Sequence, residues 1–298
     1  MTSIPADLGT LLGDAGLDDE TAASIVLTAD TLGPAIQAGL GDITLDDVKS
    51  SELTLVTQVV DDSTSIRMEG NSQPVRDGHN LVLDALDGSK QSSSLLISTR
   101  LLNRDVLFPY RPLAGAVRLD TSNYNPSGGT PLYDQTDIVL TSVGIRMAEF
   151  EQGAVTVRSV TAIITDGADS EYYDYRDPEN PNVPPSLTQK VTGLLKTERH
   201  IIIGVGISDV KGRCHSCGFD LDQAPPDDNK CPSCHSVVGT DFKRVFREMG
   251  IRDEWILTPK NTPSQIREAF AVVSQSAVRA SQAAGTGFSQ VALGGFGN

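Results

Sequence analysis

Three apolar runs, LTLVTQVV (53–60), VTVRSVTAIIT (155–165) and HIIIGVGI (200–207), each give way to a polar, turn-forming stretch. A near-continuous apolar run of this length suits a strand buried on both faces, the condition of a parallel sheet covered by helices. SLLISTRLL (94–102) reads as another strand, a β-rich stretch follows around 106–119, and EWIL (254–257) reads as a short last strand. Helical patterns lie between the strands at 74–88, 131–150, 185–198 and 241–250, the first with Pro74 in its opening turn and the last stopped by Gly250. A final helix begins at Pro263 with Thr262 as its cap. Its Ile266, Phe270, Val273 and Ala277 step by four, three and four, which lines one helix face. Alternation of this kind predicts an α/β fold with a doubly wound, mostly parallel, Rossmann-like sheet.

The chain has 298 residues, 39% hydrophobic and 21% charged, a globular composition. Its formal charge of −15 is uneven: residues 1–50 hold nine acids against Lys49 alone. This segment reads as an acidic, partly helical N-terminal extension, with Asp18 and Asp19 at a helix start and Gly33 and Pro34 as an interruption. Such a surface repels phosphate backbones, which sets nucleic acid at a disadvantage as a partner. Residues 51–284 form the main domain, and 285–298 read as a glycine-rich tail. The chain shows neither an apolar run long enough for a membrane nor a basic segment leading into an apolar core, so the expected compartment is the cytoplasm.

The first apolar run ends in DDSTS. Alternate side chains of an extended segment share a side, so Asp61, Ser63 and Ser65 place one carboxylate and two hydroxyls together past a strand end. The plainer reading is a serine capping the next helix and Asp61 in a turn. GGT at 128–130 brings Thr130 to the start of another helix, and TDGAD at 165–169 brings Asp166 to the end of another strand. The carboxyl rim of an open α/β sheet is where such loops converge and ligands bind. Hard oxygen donors suit Mg2+ or Mn2+ rather than zinc.

The order D-x-S-x-S, G-G-T before a helix and T-D-G after a strand resembles the metal-ion-dependent adhesion site of von Willebrand factor A (vWA) domains. The resemblance spans about residues 53–284. It implies a divalent cation (Mg2+, or Mn2+ or Ca2+) held directly by Ser63, Ser65 and Thr130, with Asp61 and Asp166 acting directly or through water. It further implies that an Asp or Glu of a partner protein completes the coordination, so that the site binds and does not turn over substrate.

All four cysteines fall in two pairs, CHSC (214–217) and CPSC (231–234). Cys214, Cys217, Cys231 and Cys234 in this spacing are the pattern of a structural zinc ribbon inserted over residues 208–240, with Gly218 giving a tight knuckle turn. Disulfides suit the expected compartment poorly, and a redox CxxC needs no second pair. His215 and His235 are expected beside the ion and not on it. The insertion follows the strand at 200–207, so it is expected on the same rim as the oxygen cluster. Its net charge of −3 over 208–241 favours a structural or protein-binding role over nucleic acid.

The leading expectation is therefore a non-enzymatic, metal-dependent protein-interaction module. By family analogy alone it belongs with bacterial stress-response or AAA+ ATPase-linked complexes. Two alternatives stand beside it. One is a Mg2+-dependent phosphatase or hydrolase using Asp61, although Ser63 occupies the place where that chemistry wants a second acid. The other is nucleic-acid binding through the ribbon. GVG at 204–206 follows a strand but lacks the rest of a dinucleotide fingerprint, and close packing at the strand end explains it better.

Overall fold

The computed structural model describes residues 4–89, 92–103, 106–172, 182–208, 210, 212–214, 216–221 and 230–282. The glycine-rich tail, His215 and the stretch 222–229 between the cysteine pairs lie outside the described residues.

In chain order the elements are α1 (Leu8–Asp14), α2 (Asp19–Leu40), β1 (Glu52–Val60), α3 (Thr64–Met68), α4 (Ser72–Asp87), β2 (Leu95–Leu101) and β3 (Val106–Pro112). There follow α5 (Leu132–Glu151), β4 (Thr156–Thr165), α6 (Pro185–Lys196), β5 (His200–Gly206), α7 (Phe242–Glu248), β6 (Ile256–Leu257) and α8 (Pro263–Gln282). The strands form one sheet in the order β3-β2-β1-β4-β5-β6. Every pairing is parallel except β2 with β3. The chain winds outward from β1 in one direction and from β4 in the other, which is the doubly wound arrangement expected. The central strands are buried along almost their whole length, which is why they read as apolar runs without alternation.

Helices α4 and α8 pack together over one face of the sheet, and α5 and α6 cover the other. The four residues of the predicted α8 stripe are all buried. Gly204 and Gly206 of β5 lie under α7: a Cβ on them would fall 2.5 Å from Phe246 and 2.1 Å from Phe242. The GVG stretch is thus explained by ring packing on a bare strand end. The acidic segment supplies α1 and α2, which pack on α5. Leu12, Ile25 and Ile36 of these helices lie in the same core as the sheet, while Asp14, Asp19, Glu20 and Asp30 face outward. Among the described residues no helix is long and apolar enough to cross a membrane.

Two buried histidines make the fold sensitive to acid. His79 Nε2 sits 3.0 Å from Thr99 Oγ1, and burial holds its ring down to about 4. His200 Nδ1 sits 2.6 Å from Ser159 Oγ, and burial holds it at about 3. Both are neutral in the fold, whereas the unfolded chain takes up protons below about pH 6.5, so stability falls as pH drops through that window. The loss should reach about 2–3 kcal/mol per histidine at pH 4.5, read from urea unfolding. Burial pushes the Asp61 carboxyl up, which acts in the opposite sense, so the comparison with His200→Gln isolates the imidazole. That variant should show a shallower decline between pH 7 and 4.5; an unchanged slope would contradict the assignment.

Candidate metal centres on the carboxyl rim

β1 and β4 are neighbours at the point where the winding reverses, and their carboxyl ends open onto one crevice. Asp61 follows β1 and continues its ladder, donating its N–H to Ile164 O at 2.9 Å. Its carboxylate is tied on both oxygens. Oδ1 accepts from Ser63 N at 2.7 Å, and Oδ2 accepts from Thr165 Oγ1 at 2.7 Å and Asp166 N at 3.3 Å. The Tyr124 hydroxyl donates to the Asp61 carbonyl. Burial raises the Asp61 carboxyl, and the hydrogen bonds from Ser63 and Thr165 oppose that. Burial next to Asp61, Asp62 and Asp166 also holds the Tyr124 hydroxyl far above its ordinary range.

Ser63 begins α3, yet its side chain does not cap that helix. Its Oγ instead lies 2.8 Å from Ser65 Oγ, and Ser65 Oγ donates to Asp166 Oδ1 at 2.5 Å. Ser63, Ser65 and Asp166 are thus brought together from two loops. Thr130 stands across Gly167 from them: a Cβ on Gly167 would lie 3.5 Å from Thr130 Oγ1 and 4.0 Å from Ser65 Oγ. The Thr130 backbone is fixed by Ser170, which accepts its N–H on Oγ at 3.0 Å and donates to its carbonyl at 2.9 Å. Gly128 has a φ of +97°. That conformation, open to glycine, lets it exchange two bonds with Thr64: its carbonyl accepts Thr64 N at 3.1 Å and its N–H reaches Thr64 Oγ1 at 3.0 Å.

Several residues with no part in the D-x-S-x-S reading hold this rim. Asp62, fully buried, accepts Asn103 N on Oδ1 at 2.7 Å and so ties the end of β2 to the end of β1. Asp169 accepts Tyr133 N at 2.8 Å on one oxygen and the N–H groups of Glu171 and Tyr172 on the other, fixing the start of α5. The doubled acid at 61–62 and the second acid of TDGAD were visible signals for these two. Nothing in the sequence around Tyr124 or Asn103 pointed to the rim.

The donor set fits a hard divalent cation. An octahedral Mg2+ with oxygens at ~2.1 Å has neighbouring ligands about 3.0 Å apart. The Ser63–Ser65 separation of 2.8 Å lies near such an edge, and the 2.5 Å from Ser65 to Asp166 is a short hydrogen bond that keeps the carboxylate beside the two hydroxyls.

The second candidate leaves the sheet one strand away. Ile207 N donates to Thr165 O at 2.8 Å, next to Asp166, and Ser208 N to Pro259 O at 2.9 Å, before the chain turns into the cysteine segment. That segment makes two matching knuckles. Gly218 N donates to Cys214 O and His235 N to Cys231 O, each at 2.8 Å, with φ of +74° at Gly218 and +60° at His235. The four sulfurs lie within 4.8 Å of one another. Cys214 faces Cys234 and Cys217 faces Cys231, each pair at 3.6 Å. A tetrahedral zinc with Zn–S of ~2.3 Å spaces its sulfurs about 3.8 Å apart, so the donor set fits that ion. The Ser236 hydroxyl and N–H beside its sulfur hold the Cys234 thiol down to about 6. His235 serves the turn, and among the described residues the cluster consists of cysteines alone. Cys214, Leu221 and Cys231 form a small core of their own, separate from that of the sheet.

No protein-family model and no curated protein sequence matches this chain. Among solved structures it is similar to proximal thread matrix protein 1 from the mussel byssus, at 14% identity and a TM-score of 0.42 over 74% of this chain. It is similar to that same protein with a zinc-occupied MIDAS motif, at 14% identity and a TM-score of 0.41 over 76% of this chain. It is also similar to the pilus adhesin SpaC from Lactobacillus rhamnosus GG, at 9% identity and a TM-score of 0.46 over 81% of this chain. The chain spans 47% and 46% of the two mussel structures and 31% of the adhesin.

Two outcomes follow for ion binding. Mg2+ at tenfold its dissociation constant should raise the thermal midpoint of the wild type by about 2–4 °C and leave Ser63→Ala/Ser65→Ala unmoved. An equal shift in both would place the cation elsewhere. Elemental analysis should find one zinc per chain, lost in Cys214→Ser/Cys231→Ser with the far-ultraviolet circular dichroism of the sheet retained. Collapse of the whole fold would contradict the separateness of the two cores.

Proposed function

We propose that the chain is a metal-dependent protein-interaction module whose carboxyl rim captures a carboxylate of a partner protein. The observation that carries this reading is the convergence of Ser63, Ser65 and Asp166, three oxygens each within hydrogen-bond distance of the next, delivered by two loops at the switch point of the sheet. Ser63, Ser65 and Thr130 would hold the cation, with Asp166 beside them and Asp61 orienting the loops from behind. A cation there supplies positive charge and open coordination positions, and a partner Asp or Glu side chain fills them. The positions of Asp61 and Ser63 favour binding over turnover. A nucleophilic aspartate needs an accessible oxygen, whereas both Asp61 oxygens accept protein hydrogen bonds in a fully buried site.

The cysteine ribbon acts as a structural zinc module beside this surface, and four cysteines at metal-ligand spacing suit a reducing, cytoplasmic compartment. The partner class implied by the family resemblance is a multiprotein complex of the AAA+ ATPase-linked or stress-response kind.

Affinity capture from native lysate with Mg2+ or with EDTA tests the reading. A partner should be retained by the wild type with Mg2+, and lost both on adding EDTA and in Ser63→Ala/Ser65→Ala. Retention indifferent to metal and to the serines would refute it.

A further inference from the structure

The two edges of the sheet are treated differently. The β3 edge carries Pro109 and Pro112, which lack an N–H, and the chain after α2 lies against it. A Cβ on Gly41 would fall 2.9 Å from Tyr110 O, so backbone touches backbone there. At the opposite edge, β6 pairs only with β5, and among the described residues a groove of about 500 Å³ runs along it. It is lined by Ile256, Leu257, Thr258 and Pro259, with Lys243 of α7 and Glu268 of α8; Pro259, which lacks an N–H, ends the stretch that a strand could pair with. The groove therefore includes β6 and is not formed by helices alone.

Three acids and one base line it. Asp253 is engaged by Arg247 at 2.5 Å, while Glu254 and Glu268 are exposed. An edge strand offers backbone donors and acceptors to an added strand, with flanking side chains setting the preference. We propose that the β6 groove docks an extended segment of a partner protein bearing alternate Lys or Arg side chains, which joins the sheet as a seventh strand. Its backbone pairs with residues 256–258, and its cations meet Glu254 and Glu268. A second copy of this chain would set these glutamates against each other in a molecule already at −15, so charge disfavours that occupant. The proposal uses none of the metal-site residues and stands whether or not the rim binds a cation.

The test titrates the full chain with a labelled alternating Lys-Val peptide, reading fluorescence anisotropy and hydrogen–deuterium exchange. A Lys-Pro peptide of equal charge serves as control, since it cannot pair as a strand. The Lys-Val peptide should bind and slow exchange of those 256–258 amides that point away from β5. Glu254→Lys/Glu268→Lys should weaken binding about tenfold or more. The Lys-Pro peptide should give no protection at 256–258 and bind more weakly. Four results would overturn the proposal: no binding at millimolar peptide, equal binding of both peptides, binding untouched by the double variant, or slow exchange, already in the free chain, of those 256–258 amides that point away from β5. The last would mean that a second copy or another segment of this chain covers the edge.

Discussion

Asp61 is held by three donors from two directions, and much of the rim is organised around it. One carboxylate oxygen accepts the N–H of Ser63, which turns the chain from β1 into α3 and presents Ser65 beside Ser63. The other accepts from Thr165 and Asp166, which fixes the end of β4 and the carboxylate that Ser65 meets. A charged group buried this far is tolerated only when its lone pairs are satisfied. The side chain at 61 therefore orders the loops that carry the donors, and the donors converge because the two strands are adjacent.

That adjacency is a property of the winding. In the order β3-β2-β1-β4-β5-β6 the connections from β1 and β4 leave in opposite directions, which places a crevice between their carboxyl ends. The cysteine segment departs from β5, next in line, with its own small core, and among the described residues it adds no strand to the sheet. The hydrogen bond from Ser65 to Asp166 is the arrangement that a neutral hydroxyl and a carboxylate adopt between themselves. Ser65 and Asp166 would hold a cation bound there, and its positive charge would offset the crowding of the buried acids.

The strands and the main helices were legible because burial on both faces or on one stripe leaves a direct period in the letters. The site was legible in part for the same reason: an extended D-x-S-x-S has a period of two, and Ser63 and Ser65 do meet. What stayed hidden depends on contacts far apart in sequence. Tyr124 reaches Asp61 from 63 residues away and Asn103 reaches Asp62 from 41, and neither leaves a local pattern. Boundaries moved where a residue served burial and not pairing. Trp255, read within a strand, buries its ring from a 3-10 turn, and β6 begins only at Ile256. The break read at Gly33 and Pro34 is a kink at Leu32 inside one helix, two residues before the proline.

The most direct measurement is the anomalous scattering of Mn2+ in crystals of the full chain, grown without a competing chelator. The account predicts a manganese peak within about 2.3 Å of Ser63 Oγ and Ser65 Oγ, close to Thr130 and Asp166, with Asp61 behind the ligands. A fully formed rim with no peak there at millimolar Mn2+, or a peak elsewhere on the acidic surface, would contradict it.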